Sequence, residues 1–488
     1  MKRKFRIIIF LALLIFTVPV ILNSCSSEDA KEEPVNQSST QAVVEQETTA
    51  SETEVKSIAD GLGEYDFGGY EFKIYNRIYI GFADYRLDFE ELTGDVYQDA
   101  VFMRNRAVED RFNVNIKTVH YEDHNAPRKI LLAGTNDYDL YTSRADNAFI
   151  RASEGYINSV NELEYIDLSK EYWNAFLTDQ VTVMNKKFFA VGSFNFAILD
   201  MAEVLIFNKG LVQDYGLDNP FELVKKGAWT YEKFNEMCKA GTIDLDGDGV
   251  MTNTDAWGYV GRSNDVMPSF WASAGVTAAE KDEHDVPQNV MGTEKFISVI
   301  DKIFDITWGS EIYFNSEDSN MFLSGNVLFN DSTAHKLLSV RAMEADFGIL
   351  PYPKLNEQQE KYYTRLSGCE LFYTAKSAPK ESLDRTGIIL EALACESLKS
   401  CVPAYYDLML KTKLARDVES EEIIDMLFDS RVFDWVDIVW TSELRDGPLN
   451  DMFVKKSNTL VSLNESRLSN IFDKKRDSIV EAISALDN

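Results

Sequence analysis

Twelve consecutive residues carry the sharpest chemistry of this 488-residue chain: Asp244-Leu245-Asp246-Gly247-Asp248-Gly249-Val250-Met251-Thr252-Asn253-Thr254-Asp255. They fit the calcium-loop pattern D-x-D-x-D-G-x₅-D, with an Asp where a terminal Glu is usual. Asp244, Asp246 and Asp248 would supply carboxylate oxygens and Val250 its carbonyl. Thr252 would act directly or through water, Asp255 would close the site, and Gly249 permits the sharp turn. Three carboxylates within five residues repel one another without a cation. A structural Ca²⁺ is therefore expected, with an acidic turn lacking metal as the alternative. Beyond Cys25, the four cysteines Cys238, Cys369, Cys395 and Cys401 have no CxxC or zinc-type spacing, and the chain has only four His. Free, buried thiols are expected; a Cys395–Cys401 bridge is not indicated. G-x-S-x-G, H-E-x-x-H, G-x-x-x-x-G-K-[ST] and G-x-G-x-x-G are all missing from the sequence, so no enzyme is expected. A glycosidase needs only two carboxylates, and it stands as the enzymatic alternative.

The acidic loop must be held by flanking elements. A helix is expected over 230–239, capped by Thr230, and Trp257 follows the loop. Upstream, 200–215 reads as a crossover: an apolar run of strand length at 202–207, a break at Asn208-Lys209-Gly210, then a short amphipathic segment. Ahead of it, 70–76 alternates as a strand and Asp95 reads as the N-cap of a helix through Phe112. A strand over 113–119, a helix over 124–134 and a strand over 138–142 follow. This β-α-β-α-β order predicts an open, largely parallel sheet with helices on its faces. Ligands on such sheets bind beyond the carboxyl ends of the strands, which points to Asn76-Arg77 and to 143–147. A strand is expected at 187–191. Past the crossover, helices are expected at 220–226, 267–274 and 295–304. A β-rich pattern restarts after Asn320 with 321–325 and a strand at 327–330, and continues through 347–353 to a strand at 371–374. From Ser382 onward the chain reads as mainly helical.

Net charge is −31, which repels phosphate backbones and argues against a nucleic-acid partner. Lys2, Arg3, Lys4 and Arg6 form a positive n-region, 7–22 is an apolar h-region, and Leu22-Asn23-Ser24-Cys25 closes it. The tetrapeptide resembles the bacterial lipobox, which implies a signal peptide at 1–24 and a lipidated (palmitate-bearing) Cys25. The expected location is the extracytoplasmic face of the cell membrane. Residues 25–67, beginning with that Cys, are rich in Ser, Thr, Glu and Gln and are expected to form a disordered tether.

Four further segments occur in a telling order. Val204-Leu205-Ile206-Phe207-Asn208-Lys209 is similar to an "l-Y-N-K" crossover and Ala228-Trp229-Thr230-Tyr231-Glu232-Lys233-Phe234 to "W-T-x-x-x-F". Met321-Phe322-Leu323-Ser324-Gly325 is similar to "F-x-x-G", and Phe347-Gly348-Ile349-Leu350-Pro351-Tyr352-Pro353 to "g-x-l-P-x-P". Together, over about 68–488 and behind a lipobox, they resemble a family 1 extracellular solute-binding lipoprotein of an ABC transporter of the sugar-binding type. The resemblance implies an α/β, two-lobed, periplasmic-binding-protein-like fold (type II), each lobe a mostly parallel sheet flanked by helices, with extra C-terminal helices. It implies an N-lobe of 68–200 and 315–375 and a C-lobe of 201–314 and 376–488. It also implies capture of a carbohydrate, expected to be an oligosaccharide, in an interlobe cleft by a monomer, with delivery to permease subunits. A sugar-binding lipoprotein for sensing or adhesion is the non-transport alternative. The acidic loop also resembles one calcium loop of a dockerin, which raises a secreted polysaccharide-degrading component as a rival. Dockerins use two tandem loops, and one is present here.

Sugars need aromatic faces for their C–H surfaces and planar polar groups for their hydroxyls. Arg144, Asp146 and Asn147 fall where the resemblance and the strand-end rule agree, and Asn76 and Arg77 follow the same logic. Asp200 and Glu203 flank the crossover, where a carboxylate could accept sugar hydroxyls or form a structural ion pair. Trp271 is the expected stacking residue, and Trp435 is the second aromatic candidate. Trp229, Trp173, Trp257 and Trp308 are expected to pack in the core.

Overall fold

The computed structural model describes residues 58–77, 87–194, 197–318, 320–340, 346–411 and 418–486. The strands, in chain order, are β1 (Tyr70–Arg77), β2 (Val114–Tyr121), β3 (Leu140–Arg144), β4 (Glu203–Asn208), β5 (Trp257–Gly261), β6 (Ala279–Lys281) and β7 (Pro287–Asn289). They continue with β8 (Tyr313–Asn315), β9 (Val327–Thr333), β10 (Phe347–Leu350), β11 (Thr364–Arg365), β12 (Glu370–Tyr373) and β13 (Arg431–Val432). One sheet has the order β12-β3-β1-β2 and a second has β10-β4-β9-β5-β8. The first is mostly parallel, with only β12 antiparallel to its neighbour β3. In the second, β5 pairs parallel with β8 and β9, while β4 pairs antiparallel with β9 and β10.

Local sequence explains the first sheet. Asp95 caps α1 (Val96–Phe112), its carboxylate accepting from the Tyr97 and Gln98 amides at 3.1 and 2.9 Å. Asn113, at φ 49°, ends the helix in the left-handed region, which Asn tolerates better than most residues. Alternation along β1 sends Phe72 and Ile74 into a core with Val108 and Phe112, while Tyr75 joins a separate core on the other face.

Several boundaries depart from expectation. Residues 58–67 are not part of a tether: Ile58, Leu62, Tyr65 and Phe67 pack against the core under the first sheet, and Asp60 pairs with Arg111 at 2.5 Å. Apolar side chains at this spacing bury enough surface to order the segment. The signal segment, Cys25 and the rest of the expected tether lie outside the described residues. Residues 187–191 form no strand; the Lys187 and Val191 carbonyls instead accept from the Val160 and Asn174 amides. Residues 320–323 open the "F-x-x-G" segment as a short helix, and the expected strand at 327–330 follows as part of β9.

The expected lobe division also changes. Strands β9 and β10, expected in the N-lobe, pair with β4 in the second sheet, and only β12 returns to the first. The helix Lys380–Glu396, expected in the C-lobe, supplies Leu383, Ile388, Ile389 and Cys395 to the core under β1. Strand pairing is long-range, so no local pattern reveals which sheet takes a given strand.

The crossover is as the sequence indicates. β4 is buried along its length, and Asn208 caps the helix Lys209–Asp214 by accepting from the Leu211 amide at 3.1 Å. Two of the segments behind the family resemblance bind each other. The Trp229 indole donates to the Pro351 carbonyl at 2.9 Å, and Lys354 exchanges backbone bonds with Trp229 and Tyr231. Cys238, Cys369, Cys395 and Cys401 are free and buried.

Candidate ligand-binding site

A cavity of about 190 Å³ opens where the two sheets present their strand ends to each other. Arg77 ends β1, Arg144 ends β3 and Thr333 ends β9, and Arg262 follows β5 by one residue; all four line the cavity. Antiparallel pairing brings two strand starts to the same edges, Glu370 opposite Arg144 and Glu203 opposite Thr333. Strand carboxyl ends from both sheets therefore line this one cavity. Asp265 reaches the cavity from the first turn of the helix Ser263–Ser273, and Thr441 and Arg445 from the π-helical segment Thr441–Leu449.

Arg77, Arg144 and Glu203 are therefore brought together as the sequence indicates, and the other candidates are not. Asn76 points to the opposite face of β1, where its side-chain oxygen accepts from the Thr142 hydroxyl at 2.9 Å. Asp146 and Asn147 lie on the helix Ala145–Ser153, bonded to each other, with Asp146 also 3.2 Å from Arg144; Ala145 lines the cavity in their place. Asp200 is fully buried and accepts from the Tyr405 hydroxyl at 2.8 Å.

The stacking candidates are core residues. Trp271 has no exposed surface, and its indole donates to Asp434 at 3.1 Å. Trp435 is buried against Phe149 and Trp440. No aromatic side chain is among the described residues lining the main cavity. Each Trp sits on a helix one face of which must enter the core, and the largest apolar side chain gains most from that face.

Sequence reasoning missed Arg262, Asp265, Lys336, Glu370, Thr441 and Arg445. The strand-end rule applied to β5 and β9 would have flagged Arg262 and the Thr333–Lys336 turn. Nothing local marks Arg445.

Behind the cavity lies a buried ion network. Arg365, on β11, is fully enclosed; it grips Asp437 through two nitrogens at 2.7 and 2.9 Å and reaches Asp265 at 3.0 Å and Glu203 at 3.3 Å. Arg445 also holds Asp437, at 2.6 Å, and Arg77 is ion-paired with Glu370. Burial, with the neighbouring Asp265 charge, pushes Glu203 up to about 8 although Arg365 opposes it. Burial pushes Glu370 up to about 7 against the pull of Arg77 and Arg144, and with Asp265 it raises Asp331 to about 7. Burial acts the same way on Asp265, but Arg365, Arg262 and Arg445 outweigh it and hold that carboxyl at about 2.

These shifts set a sign for pH dependence. Glu203, Glu370 and Asp331 bind protons more tightly folded than unfolded, so their contribution is full below about pH 4 and is lost as pH rises toward 7–8. Asp265 acts oppositely, its contribution being lost as pH falls from about 4 through 2. The melting temperature of the ligand-free protein is expected to peak in mildly acid buffer and to fall by several degrees toward pH 8.5. A thermal scan series showing a rise from pH 6 to 8.5 would contradict this assignment.

A second cavity of about 200 Å³ adjoins the first, and Arg262 and Lys336 line both. The acidic loop lies apart from either. It places one carboxylate oxygen each from Asp244, Asp246 and Asp255 within 4.8 Å of one another. Asp244 accepts from the Gly247 and Gly249 amides at 2.7 and 2.8 Å, and Gly247 and Gly249 both take positive φ. Asp248 is outside this trio and accepts from the Val250 amide at 2.7 Å. Carboxylate oxygens are the kind of donor calcium takes, and three of the six to eight oxygens it needs lie close together here, so the residues present suit that ion in donor type.

The chain has the fold of the type II periplasmic-binding-protein-like solute-binding proteins of ABC transporters. A glycerophosphocholine-bound structure of UgpB from Mycobacterium tuberculosis superposes with a TM-score of 0.57 at 14% identity, over 84% of this chain and 99% of that one. An ABC substrate-binding protein from Listeria monocytogenes in complex with cycloalternan gives 0.52 at 12% identity, over 85% and 99%. The maltose/maltodextrin-binding domain MalE from Bdellovibrio bacteriovorus bound to maltotriose gives 0.51 at 12% identity, over 85% and 100%. No family model and no curated protein matches the sequence.

Proposed function

We propose that this protein is the carbohydrate-binding receptor of an ABC importer, held at the extracytoplasmic face of the membrane by a lipid on Cys25, and that it is not an enzyme. The observation that carries this reading is the cavity itself: both sheets contribute strand-end polar residues to one space, and the fold is shared with proteins crystallised with maltotriose and cycloalternan. A ligand touching Arg77, Arg144 and Glu370 on one sheet and Glu203 and Thr333 on the other favours the arrangement in which the two are close. Delivery to permease subunits follows from that closure. The tetrapeptide ending at Cys25 supports the anchor, and among the described residues no helix is long and apolar enough to cross a membrane. Calorimetry of the purified chain against an oligosaccharide panel is expected to give saturable binding with no hydrolysis. Turnover of any panel sugar, or binding of peptides or polyamines alone, would overturn the receptor or its ligand class respectively.

We propose further that Asp244, Asp246 and Asp255 hold a structural Ca²⁺, with Asp248, the Val250 carbonyl and Thr252 completing the loop. Affinity of the order of 10⁻⁴–10⁻³ M is expected by analogy with extracellular modules. Millimolar calcium should raise the melting temperature, and chelator should reverse the gain. Asp246→Asn keeps an oxygen for the Asp248 amide, at 3.1 Å in the native loop, yet removes the charge, so it should abolish the response without unfolding the loop. A wild type insensitive to calcium would disprove the site.

A further inference from the structure

We infer that the carbohydrate is anionic, bearing a carboxylate, sulfate or phosphate that is received by Arg262 and Lys336 at the junction of the two cavities. This rests on the carbohydrate reading above and narrows its ligand class. Three observations carry it.

The first is an asymmetry of exposure. The main cavity is lined by five cationic and three acidic side chains. The acids lie at its back: the side chains of Glu203, Glu370 and Asp265 are only 3%, 6% and 11% exposed. Arg144 and Arg262 are 39% and 43% exposed, and Lys336 is exposed. The charged groups that an entering ligand meets there are the cations.

Second, the carboxylates engage the two exposed guanidiniums without saturating them. Arg262 gives its Nε to Asp265 at 2.9 Å and lies 3.8 Å from Glu317, an exposed acid lining the second cavity. Arg144 meets Asp146 through one terminal nitrogen at 3.2 Å. A guanidinium has five N–H donors in a planar fork suited to bidentate oxyanions. The carboxylates orient these forks, and donors are left over for the ligand.

Third, Arg262 and Lys336 line both cavities, so a ligand filling both lies against the pair. The second cavity adds Asn330, 8% exposed, whose side-chain oxygen is buried and accepts no hydrogen bond among the described residues. A buried acceptor left unmade is costly, and a sugar hydroxyl is a donor of the right kind. The anion then sits at the junction, with a sugar ring on the Asn330 side. The chain's overall charge of −31 opposes approach of an anion at long range. At ordinary ionic strength that field is screened beyond about 10 Å, so the nearest cations decide the affinity.

Matched pairs test this on the full-length chain by calorimetry: trigalacturonate against its methyl ester, galactose 6-sulfate against galactose, and glucose 6-phosphate against glucose. At least one anionic member should bind tenfold or more tighter than its neutral partner, and the pair that does so identifies the anion. Raising NaCl from 50 to 500 mM should erode that preference, as should Arg262→Gln combined with Lys336→Gln. Arg144→Gln serves as a second variant should the first prove unstable, and a native melting temperature checks folding of each. Neutral members binding as tightly as their anionic partners would overturn the inference and leave the carbohydrate reading intact. Free sulfate or phosphate binding as tightly as the sugars, or no member of the panel binding, would overturn both.

Discussion

Arg365→Met is expected to lower the unfolding free energy by about 3–5 kcal/mol, the usual cost of breaking a buried ion cluster by removing one partner. Arg365 is 2% exposed and serves three carboxylates drawn from distant parts of the chain: Glu203 at the start of β4, Asp265 on the helix after β5, and Asp437. Methionine replaces the aliphatic stem but none of the donors. Asp437 keeps Arg445 at 2.6 Å, and Asp265 keeps Arg262 at 2.9 Å. Glu203 has no other cationic partner within ion-pair distance among the described residues and already sits at about 8. It can escape by staying protonated, so the loss should be smaller at pH 6 than at pH 8. Urea titration at the two pH values measures both the size and its pH dependence. An equal loss at both would mean that Glu203 is not the group left exposed to the penalty.

Trp271→Ala is expected to cost about 3–5 kcal/mol, the range for deleting a large aromatic side chain from a core that only partly relaxes. The indole packs 5.7 Å from the Phe296 ring, centroid to centroid, and donates to Asp434. Asp434 in turn accepts from the Ala278 and Val436 amides at 2.7 and 3.0 Å, and burial raises it to about 7. The substitution therefore removes one of three donors that tie the helix Ser263–Ser273, the Ala278 turn and the 434–438 turn together. Trp271→Phe separates the two contributions, keeping most of the packing while leaving Asp434 short of a donor for about 1–3 kcal/mol. Neither variant should change which sugars bind, because Trp271 does not line the cavity. A selective loss of sugar affinity at unchanged stability would reverse this placement.

The contrast between Trp271 and Arg77 shows what could be read from the chain before it folded. Period-two alternation, the Asp95 cap, the Asn208 break and the Thr230 cap are local, and each settles into the element its neighbours dictate. The carboxyl ends of the parallel strands were legible too, and Arg77 and Arg144 at those ends line the cavity. That the acidic loop would gather carboxylates was legible as well, and Asp244, Asp246 and Asp255 do so. Local pattern could not decide between neighbouring residues at a strand end, where Arg77 enters the cavity and Asn76 turns away. It could not assign β9, β10 or the helix Lys380–Glu396 to a sheet, because those partnerships join residues about seventy to three hundred positions apart. Nor could it separate a tryptophan meant for a ligand from one meant for the core, since apolar area drives both. The cation-rich wall of the cavity arises only when β1, β3, β5 and β9 end beside one another. Strand chemistry was written in the sequence, and the tertiary pairing decided which strand ends would meet.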